Sequence, residues 1–326
     1  MSLQDLKNSL SGLTTFPVVR IETVPIPARN YLISLQPVGI GTNEVESLSS
    51  YISRLAREYY VSPNKLMESC VKRYFGVQAY LDNVGYNPNT FKNINGLDET
   101  ARTVVSSIEL ATGRKDIAYM TLLPWRNILS SKQMRLKRAW CPSCLQSDLE
   151  NGQPVYERLL WKIDIVENCP FHERKLVTLC PHCNASQANF STYSFPGFCS
   201  NCKIWVGQEE KYQLKKQEDF FEKWLSLEIG KVLAASRKVK EDIRARVIFA
   251  HSLRSLMDKS PFISYAALRN KTGLATSTIK KLSYGEIALS FNILMKICCS
   301  FRCSPVDLLL GNEFSLVFRN KALKKK

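Results

Sequence analysis

The chain has 326 residues, of which 45% are hydrophobic, as expected of a globular protein with two or three small domains. No apolar run approaches the ~20 residues of a membrane-spanning helix. The start, MSLQDLKNSLSGL, lacks the basic and apolar stretches of an export signal, so we expect an intracellular, cytoplasmic protein. Its net charge of +16 favours polyanionic partners, of which nucleic acids are the commonest inside cells.

The first 135 residues predict a mainly helical domain. β-Branched residues and prolines in residues 16–41 indicate short extended pieces and turns. Helical spacing of apolar residues begins at Glu44 and resumes after Ser62, which we expect to cap a second helix with Pro63 in its first turn. The residues expected to face the core on these two helices are Leu48, Tyr51, Ile52, Leu55, Ala56, Leu66, Met67, Cys70, Val71 and Phe75.

Two further helical segments are predicted before the cysteine-rich region. Asp98 precedes a periodic apolar pattern that runs to Thr112, and its carboxylate suits the N-cap position. A shorter helix is expected around residues 117–123, with Pro124 at its end. Together with the first two helices, these segments would complete the N-terminal domain, residues 1–135.

Residues 136–207 contain four pairs of metal-binding side chains, and each pair encloses two residues. The pairs are Cys141 and Cys144, Cys169 and His172, Cys180 and Cys183, and Cys199 and Cys202. Two side chains at this spacing in a tight turn reach one metal ion, and two pairs complete a tetrahedral zinc site. The region is therefore predicted to bind two structural Zn²⁺ ions, with no position open for a substrate water.

Spacing alone leaves the grouping of these pairs open. The simplest grouping is sequential, with the first pair joined to the second and the third to the fourth, whereas a cross-braced fold would join the first to the third and the second to the fourth. His182, inside the third pair, is the one rival to His172 as a ligand. The alternative to metal is a set of disulfides or buried thiols, but disulfides require an oxidising compartment.

Residues 208–260 predict a connector of long charged helices. Two apolar faces are expected to pack these helices onto a core rather than to bind a ligand. The first comprises Phe220, Phe221, Trp224, Leu225 and Ile229, and the second Val247, Ile248, Leu253 and Leu256. At the end of the chain, residues 313–326 form a basic tail that we expect to be disordered.

Residues 261–312 predict a helix-turn-helix domain. Apolar residues here have the spacing of two short helices joined by a turn at Thr272 and Gly273, and two more helices follow. The stretch resembles the Cro and phage-repressor class, in which the first residues of the recognition helix contact base edges. The positions expected to bind DNA are Thr276, Ser277, Thr278, Lys280 and Lys281.

The helix-turn-helix stretch departs from that class at three positions. Tyr265 stands where a glutamine usually touches the backbone, Arg269 where a small residue is usual, and Ser283 where an acidic residue is usual. Docking of a protein is the alternative to DNA binding, because sequence does not separate phosphate contacts from base contacts. The domain also holds three cysteines without paired spacing, which we expect in its core. They are Cys298, Cys299 and Cys303.

A series of short motifs surrounds the cysteine pairs, and another lies at the start of the first predicted helix. The elements are Trp140-Cys-Pro-x-Cys144, Tyr156-x-Arg158-x-x-Trp161, Cys169-Pro-x-His172, Leu176, Cys180-Pro-x-Cys183 and Gly197-x-Cys199-x-x-Cys202. Together they resemble the signature of the TniQ/TnsD family of transposon target selectors. The stretch from Glu46 to Ala56 is similar to the opening helix of that family, and Leu110-Ala-Thr-Gly113 also fits.

The resemblance implies a non-enzymatic adaptor. Such a protein would recognise a target, either by binding DNA or by joining a CRISPR effector complex such as Cascade. It would recruit an AAA+ ATPase regulator of the TnsC/TniC type, which brings the transposase. Within the first metal site we expect Tyr156, Arg158 and Trp161 to hold its two halves together, with a partner or phosphate contact as the alternative role of Arg158.

The residues themselves offer no obvious catalytic set. The sequence lacks a P-loop, and metal nuclease chemistry needs clustered carboxylates with open coordination. The acidic residues Glu46, Asp148, Asp164 and Glu167 do not form such a cluster by sequence. The competing hypotheses are a zinc-containing helix-turn-helix transcriptional regulator and an enzyme that uses zinc as a scaffold.

Overall fold

A computed structural model describes residues 30–83, 90–208, 211–212, 220–239, 245–258 and 264–312. The described residues are mainly helical, which confirms the predicted fold class. The helices are α1 (Leu48–Glu58), α2 (Pro63–Asn83), α3 (Glu99–Thr112), α4 (Pro142–Glu150), α5 (Phe220–Ala234), α6 (Ala245–Asp258), α7 (Tyr265–Thr272), α8 (Thr276–Ser283), α9 (Phe291–Phe301) and α10 (Pro305–Leu310). Two short strands, β1 (Asn168–Cys169) and β2 (Arg174–Lys175), pair antiparallel. None of the described helices has the length and apolarity to cross a membrane.

Helices α1, α2 and α3 pack together at the N-terminal side of the described chain. Ser47 caps α1, its hydroxyl accepting a hydrogen bond from the Ser50 N–H at 3.4 Å, and Asp98 caps α3 as predicted. The predicted apolar face of α1 is fully buried. On α2 the prediction is wrong at Phe75, which is 43% exposed, because Gly76 has a φ of 84° and kinks the helix directly after it.

The helix predicted for residues 117–123 is instead two 3₁₀ turns, Ile117–Met120 and Leu123–Trp125. Thr121 separates them in extended conformation. Its hydroxyl donates to the Ala118 carbonyl at 2.7 Å and accepts the Leu123 N–H at 3.0 Å, so it supplies the hydrogen bonds that a continuing helix would have made. The expectations for residues 16–29 and 313–326 lie outside the described residues.

Helix α5 packs against β1 and the 3₁₀ turn Leu159–Lys162. Its prediction as a uniformly buried face is wrong for the first turn, where Phe220 is 82% and Phe221 43% exposed, whereas Leu225 and Ile229 are buried. The helix reaches the core only through its later turns. On α6, in the same way, the later residues Leu253 and Leu256 are buried, but Val247 and Ile248 are exposed.

Helices α6 to α10 form one unit at the C-terminal side. α7 and α8 pack on each other, α9 packs on α7, and α6 packs on α8 and α10. Buried apolar residues from all five helices fill the centre, Leu268, Ile279 and Leu294 among them. Of the three cysteines expected in this core, Cys298 is buried, Cys303 is half-buried and Cys299 is exposed. The expectation for Cys299 is wrong, because it follows Cys298 directly on α9 and so points to a different face of the helix.

Residues 127–133 join this unit to the rest of the described chain. The N–H of Ser130 donates to the Leu289 carbonyl at 2.8 Å, and the N–H of Leu289 donates to the Ile128 carbonyl at 3.0 Å. The Phe291 N–H donates to the side-chain oxygen of Gln133 at 2.9 Å, at the start of α9. The chain segment just before the cysteine pairs therefore holds the loop between α8 and α9 in a fixed position.

Candidate metal centres and nucleic-acid interface

The first cysteine pair, Cys141 and Cys144, meets the second, Cys169 and His172. Cys141 precedes α4 and Cys144 lies in its first turn, while Cys169 ends β1 and His172 lies in the turn to β2. The Nδ1 atom of His172 lies 3.2 Å from Sγ of Cys144, 3.6 Å from Sγ of Cys141 and 3.7 Å from Sγ of Cys169. All four ligand atoms lie within 4.8 Å of one another.

The third and fourth pairs form a second cluster of the same kind. The Sγ atoms of Cys180 and Cys202 lie 3.7 Å apart, and so do those of Cys183 and Cys199. These four sulfur atoms also lie within 4.8 Å of one another. The described structure therefore groups the pairs sequentially rather than in a cross-braced manner. His182 lies outside both clusters, with Nε2 3.3 Å from the Trp205 carbonyl.

Three of the four pairs share one turn geometry. In each, the residue after the second ligand has a positive φ, and its N–H donates to the carbonyl of the first ligand at 2.9 to 3.0 Å. These residues are Glu173 (φ 52°), Asn184 (φ 54°) and Lys203 (φ 64°). The N–H groups of His182 and Asn201 also lie 3.4 Å from the sulfurs of Cys180 and Cys199. Donors placed in this way stabilise negatively charged thiolates.

The two clusters have the dimensions of closed zinc sites. With a Zn–S distance of about 2.3 Å, the edge of a tetrahedral site is about 3.8 Å. The 3.7 Å sulfur separations match that edge. Three thiolates with one imidazole, and four thiolates, are donor sets that zinc favours. Bound zinc would link chain segments far apart in sequence, and a fourth protein ligand in each site leaves no position for substrate.

Two glycines make room for the ring of Trp205, which follows the second cluster in the chain. A Cβ atom at Gly197 would lie 1.9 Å from Cζ3 of the Trp205 ring, and one at Gly207 would lie 2.6 Å from Cζ2. The φ of 81° at Gly197 is a second reason for glycine there. The Trp205 Nε1 donates to the side-chain oxygen of Gln146 on α4 at 3.0 Å. The indole therefore connects the second cluster to the helix that carries the first.

A buried ion network lies between the clusters and α1. Arg138 donates from Nε to a Glu157 carboxylate oxygen at 2.6 Å and from Nη1 to the Phe198 carbonyl at 2.7 Å, and Lys162 donates to the other oxygen of Glu157. Burial alone would raise the pKa of Glu157, but the charges of Arg138 and Lys162 outweigh it and hold that pKa below its ordinary value. Sequence spacing missed this network, because its members are paired only through the tertiary fold.

Hydrogen bonds from the main chain of Glu157 connect this network to α1 and to Ser47 at its start. The Glu157 N–H donates to the Ser50 hydroxyl at 2.9 Å, and the Ser47 N–H donates to the Glu157 carbonyl at 2.9 Å. Ser50 in turn donates to Glu46 at 2.8 Å, and Arg54 contacts the same carboxylate at 2.6 Å. Burial raises the pKa of Glu46 to about 7 despite the opposing charge of Arg54.

Arg158 lies against the first cluster in a buried ion pair with Asp148. Its two terminal nitrogens donate to the two carboxylate oxygens of Asp148 on α4 at 2.6 and 2.8 Å. The guanidinium lies 4.2 Å from the centre of the Tyr156 ring and 5.1 Å from that of Trp161. Burial alone would lower the pKa of Arg158, but the Asp148 carboxylate outweighs it and raises that pKa. The Arg158–Asp148 ion pair holds α4 to the following loop, which also contains Tyr156 and Trp161.

The predicted DNA-binding residues lie on α8, the second helix of the helix-turn-helix. Ser277, Lys280 and Lys281 are exposed, whereas Thr276 and Thr278 are half-buried. The opposite face of α8 packs into the domain core. Gly273, with a φ of 70°, ends α7 and forms the turn before α8. The exposed face therefore presents two cations and a hydroxyl.

Two departures from the repressor pattern contact each other. The Tyr265 hydroxyl lies 3.1 Å from the Ser283 hydroxyl, and Ser283 donates to the Lys280 carbonyl at 2.8 Å. The Lys280 ammonium lies 6.0 Å from the centre of the Tyr265 ring. The hydrogen bond between Tyr265 and Ser283 joins the start of α7 to the end of α8. The two residues that depart from the repressor pattern therefore form one contact between the helices.

The geometry defines a class of protein: a helical chain in which two four-ligand clusters, one of three cysteines and a histidine and one of four cysteines, are followed by a helix-turn-helix. Comparison with known families agrees with it. Residues 37–176 match the TniQ family, and residues 252–310 match the Cro/C1-type helix-turn-helix DNA-binding domain. No curated protein matches the chain.

The chain therefore carries a TniQ domain followed by a Cro/C1-type helix-turn-helix domain, which confirms both resemblances seen in the sequence. These domains indicate a protein of the transposition target-selection type. The first cluster lies inside the TniQ match, and the second lies after its end. The helix-turn-helix match includes part of α6, consistent with the packing of α6 on α8 and α10.

Proposed function

We propose that this protein is a non-enzymatic adaptor that selects the target site in a TnsD/TniQ-type transposition system. It binds DNA through α8, and it recruits an AAA+ ATPase regulator and, through that regulator, the transposase. The observation that carries the proposal is the attachment of the TniQ domain to the helix-turn-helix domain through residues 127–133. A fixed link of this kind would place a recruited partner at a defined distance from bound DNA.

The cysteine clusters act as scaffold in this proposal. Zinc would be held by Cys141, Cys144, Cys169 and His172 in one site and by Cys180, Cys183, Cys199 and Cys202 in the other. Bound zinc supplies cross-links between chain segments. The buried network around Glu157 then orients α1 against the loop that connects the two pairs of the first site.

The carboxylates also support a non-catalytic role. Glu46 pairs with Arg54, Asp148 with Arg158, and Glu167 with Lys175 at 3.1 Å. A metal nuclease needs several carboxylates converging on one ion. In the described structure, each of these three carboxylates forms an ion pair with a different basic side chain, so they do not converge on one position.

The two routes of target selection predict different partners. In the first, Thr276, Ser277, Thr278, Lys280 and Lys281 contact a DNA site directly. In the second, a guide-RNA effector complex of the Cascade type selects the site, and this protein joins that complex. The helix-turn-helix match favours the first route.

Reconstitution with the ATPase encoded by a neighbouring gene tests the proposal. We expect the purified protein to co-elute with that ATPase in gel filtration, and to bring it to target DNA in a mobility-shift assay. A transcriptional regulator, the second candidate, would bind DNA without retaining the ATPase. If the protein cleaved or joined DNA alone, the adaptor role would be wrong.

A further inference from the structure

In the described part of the chain, a groove lies between the first turn of α5 and the last turns of α9. It encloses about 440 Å³. The Phe221 and Trp224 rings lie 5.7 Å apart along one side. The walls are formed by Phe220, Phe221, Trp224, Cys298, Cys299 and Cys303. The groove therefore combines three aromatic rings with three thiol-bearing residues.

The exposure of the aromatic residues distinguishes this groove from the core. Phe220 is 82% exposed and Phe221 43% exposed, although the same helix buries Leu225 and Ile229 completely or nearly so. Single exposed apolar residues are common on proteins, but adjoining aromatic residues that line a concavity are characteristic of interaction sites. Phenylalanine and tryptophan are also enriched in protein interfaces.

The rim of the groove is cationic. Arg302 caps the end of α9 beside the groove, and Lys271 and Lys296 line an adjoining depression together with Phe221. All three are exposed, and none forms a salt bridge with an acidic residue in the described part of the chain. Lys231 and Glu228 also line the groove, and they pair with each other at 2.5 Å, so their charges offset. The net charge around the opening is therefore positive.

An apolar groove with a cationic rim is complementary to an acidic amphipathic segment. Apolar side chains on one face of such a segment would fill the groove, and its carboxylates would meet the rim. A nucleic-acid strand would also match the rim. The α9 wall carries thiol-bearing residues, which suit apolar side chains, and stacking of bases on the α5 rings is the alternative that the DNA-affinity measurement below tests.

We propose that this groove binds an acidic amphipathic segment of a protein partner. The proposal rests on the proposed function, under which that partner is the AAA+ regulator. Because α9 also belongs to the helix-turn-helix domain, a regulator held in the groove lies next to the domain that binds DNA. Target binding and regulator recruitment thus occur on one structural unit.

Two variants test the groove in the full-length protein. Phe220→Ser removes an exposed ring, and Lys296→Glu reverses a rim charge. We expect each to weaken binding of the purified regulator about tenfold or more in biolayer interferometry. The loss from Lys296→Glu should shrink between about 0.1 M and about 0.5 M salt, because salt screens charge. Leu136→Ser and Lys137→Glu, at exposed positions outside the groove, are matched controls that should bind as the wild type does.

The outcomes separate this inference from the proposed function. If the regulator binds the wild type and both groove variants equally, the groove assignment is wrong and the adaptor function stands. If the regulator does not bind the wild type, the adaptor function fails and the groove proposal fails with it. Loss of DNA affinity in the groove variants, with regulator binding unchanged, would overturn the proposal in favour of a nucleic-acid site.

Photo-crosslinking identifies the chemistry of the occupant. A benzoylphenylalanine in place of Phe220 should crosslink to a segment of the regulator in which apolar residues have helical spacing and carboxylates outnumber cations. Mass spectrometry of the crosslinked peptide checks this. A crosslink to a basic segment, or only to this chain itself, would contradict the proposal.

Discussion

The cysteine-rich region, residues 136–207, and the helix-turn-helix unit are stabilised by different interactions. In the cysteine-rich region, regular structure is short: one helix of 9 residues and two strands of 2 residues. Its interior includes the charged residues Arg138, Glu157, Arg158 and Lys162. The core of the helix-turn-helix unit consists of apolar side chains from five helices, and Thr272 and Ser283 are buried between them.

The difference shows two ways of specifying a small fold. Helices satisfy their own backbone hydrogen bonds, so the helix-turn-helix unit needs only a matching apolar face on each helix. The cysteine-rich region has little regular structure, so its loops require other constraints, and metal ligands with buried ion pairs provide them. Buried charges tolerate few alternative packings, which makes the region more specific but also more sensitive to single substitutions.

Loss of a metal ligand should have the largest effect. Cys141→Ser should reduce the zinc content from two ions per chain to one or fewer and cause aggregation. Zinc contributes roughly 10 to 16 kcal/mol in zinc-finger peptides, as much as the whole stability of many domains. Mass spectrometry of bound metal and gel filtration check this prediction. Cys299→Ser, at an exposed cysteine outside both clusters, should keep both ions, and undiminished zinc in Cys141→Ser would refute the site.

Breaking the buried ion network should have the next largest effect. Arg138→Ala leaves Glu157 with one cationic partner in a buried site, and we expect a loss of about 3 to 5 kcal/mol in the free energy of unfolding. The matched control is Arg102→Ala, because Arg102 pairs with Glu99 at 3.2 Å on the exposed surface of α3. Arg102→Ala should lower the free energy of unfolding by less than about 1 kcal/mol. Equal losses in urea unfolding would show that the network is not a special constraint of this region.

The pH dependence of stability provides a third test. The pKa of buried Glu46 is raised to about 7 from an ordinary value of 4.5, so the folded protein retains a proton between these values that the unfolded chain has lost. The contribution of Glu46 to the free energy of unfolding is therefore fully present below pH 4.5, and it is lost as the pH rises through 7. Glu46→Gln should remove this dependence. Between pH 5 and 8, the free energy of unfolding of the variant should rise relative to that of the wild type by up to about 3 kcal/mol. A constant difference across that range would contradict the prediction.

The smallest effect is expected on the helix-turn-helix side. Lys280→Ala with Lys281→Ala should leave zinc content and folding unchanged, because both side chains are exposed. If both contact phosphates, the slope of log affinity for DNA against log salt should fall by ~1 to 2. Fluorescence anisotropy at several salt concentrations measures it, with Lys137→Ala as the control. An unchanged slope would assign the lysines to a protein contact.

Features set by local sequence were predicted well. Asp98 caps α3, the apolar face of α1 is buried, and the cysteine pairs supply two sets of four ligands, because caps, helix periodicity and tight turns each depend on neighbouring residues. The errors occur where local structure depends on distant contacts. Phe75 and Phe220 have helical spacing with buried residues, yet a kink at Gly76 and the limited reach of the core leave them exposed.

The sequence by itself therefore determined the two sets of four ligands and the helix-turn-helix, since each depends on short spacings. Only the tertiary structure decided that the pairs group sequentially, that Arg138 and Lys162 share Glu157, and that Leu289 hydrogen-bonds to residues 128–130. The physical reason is that these contacts join residues from 5 to more than 100 positions apart. Which of the many possible partners meet is set by how the whole chain packs.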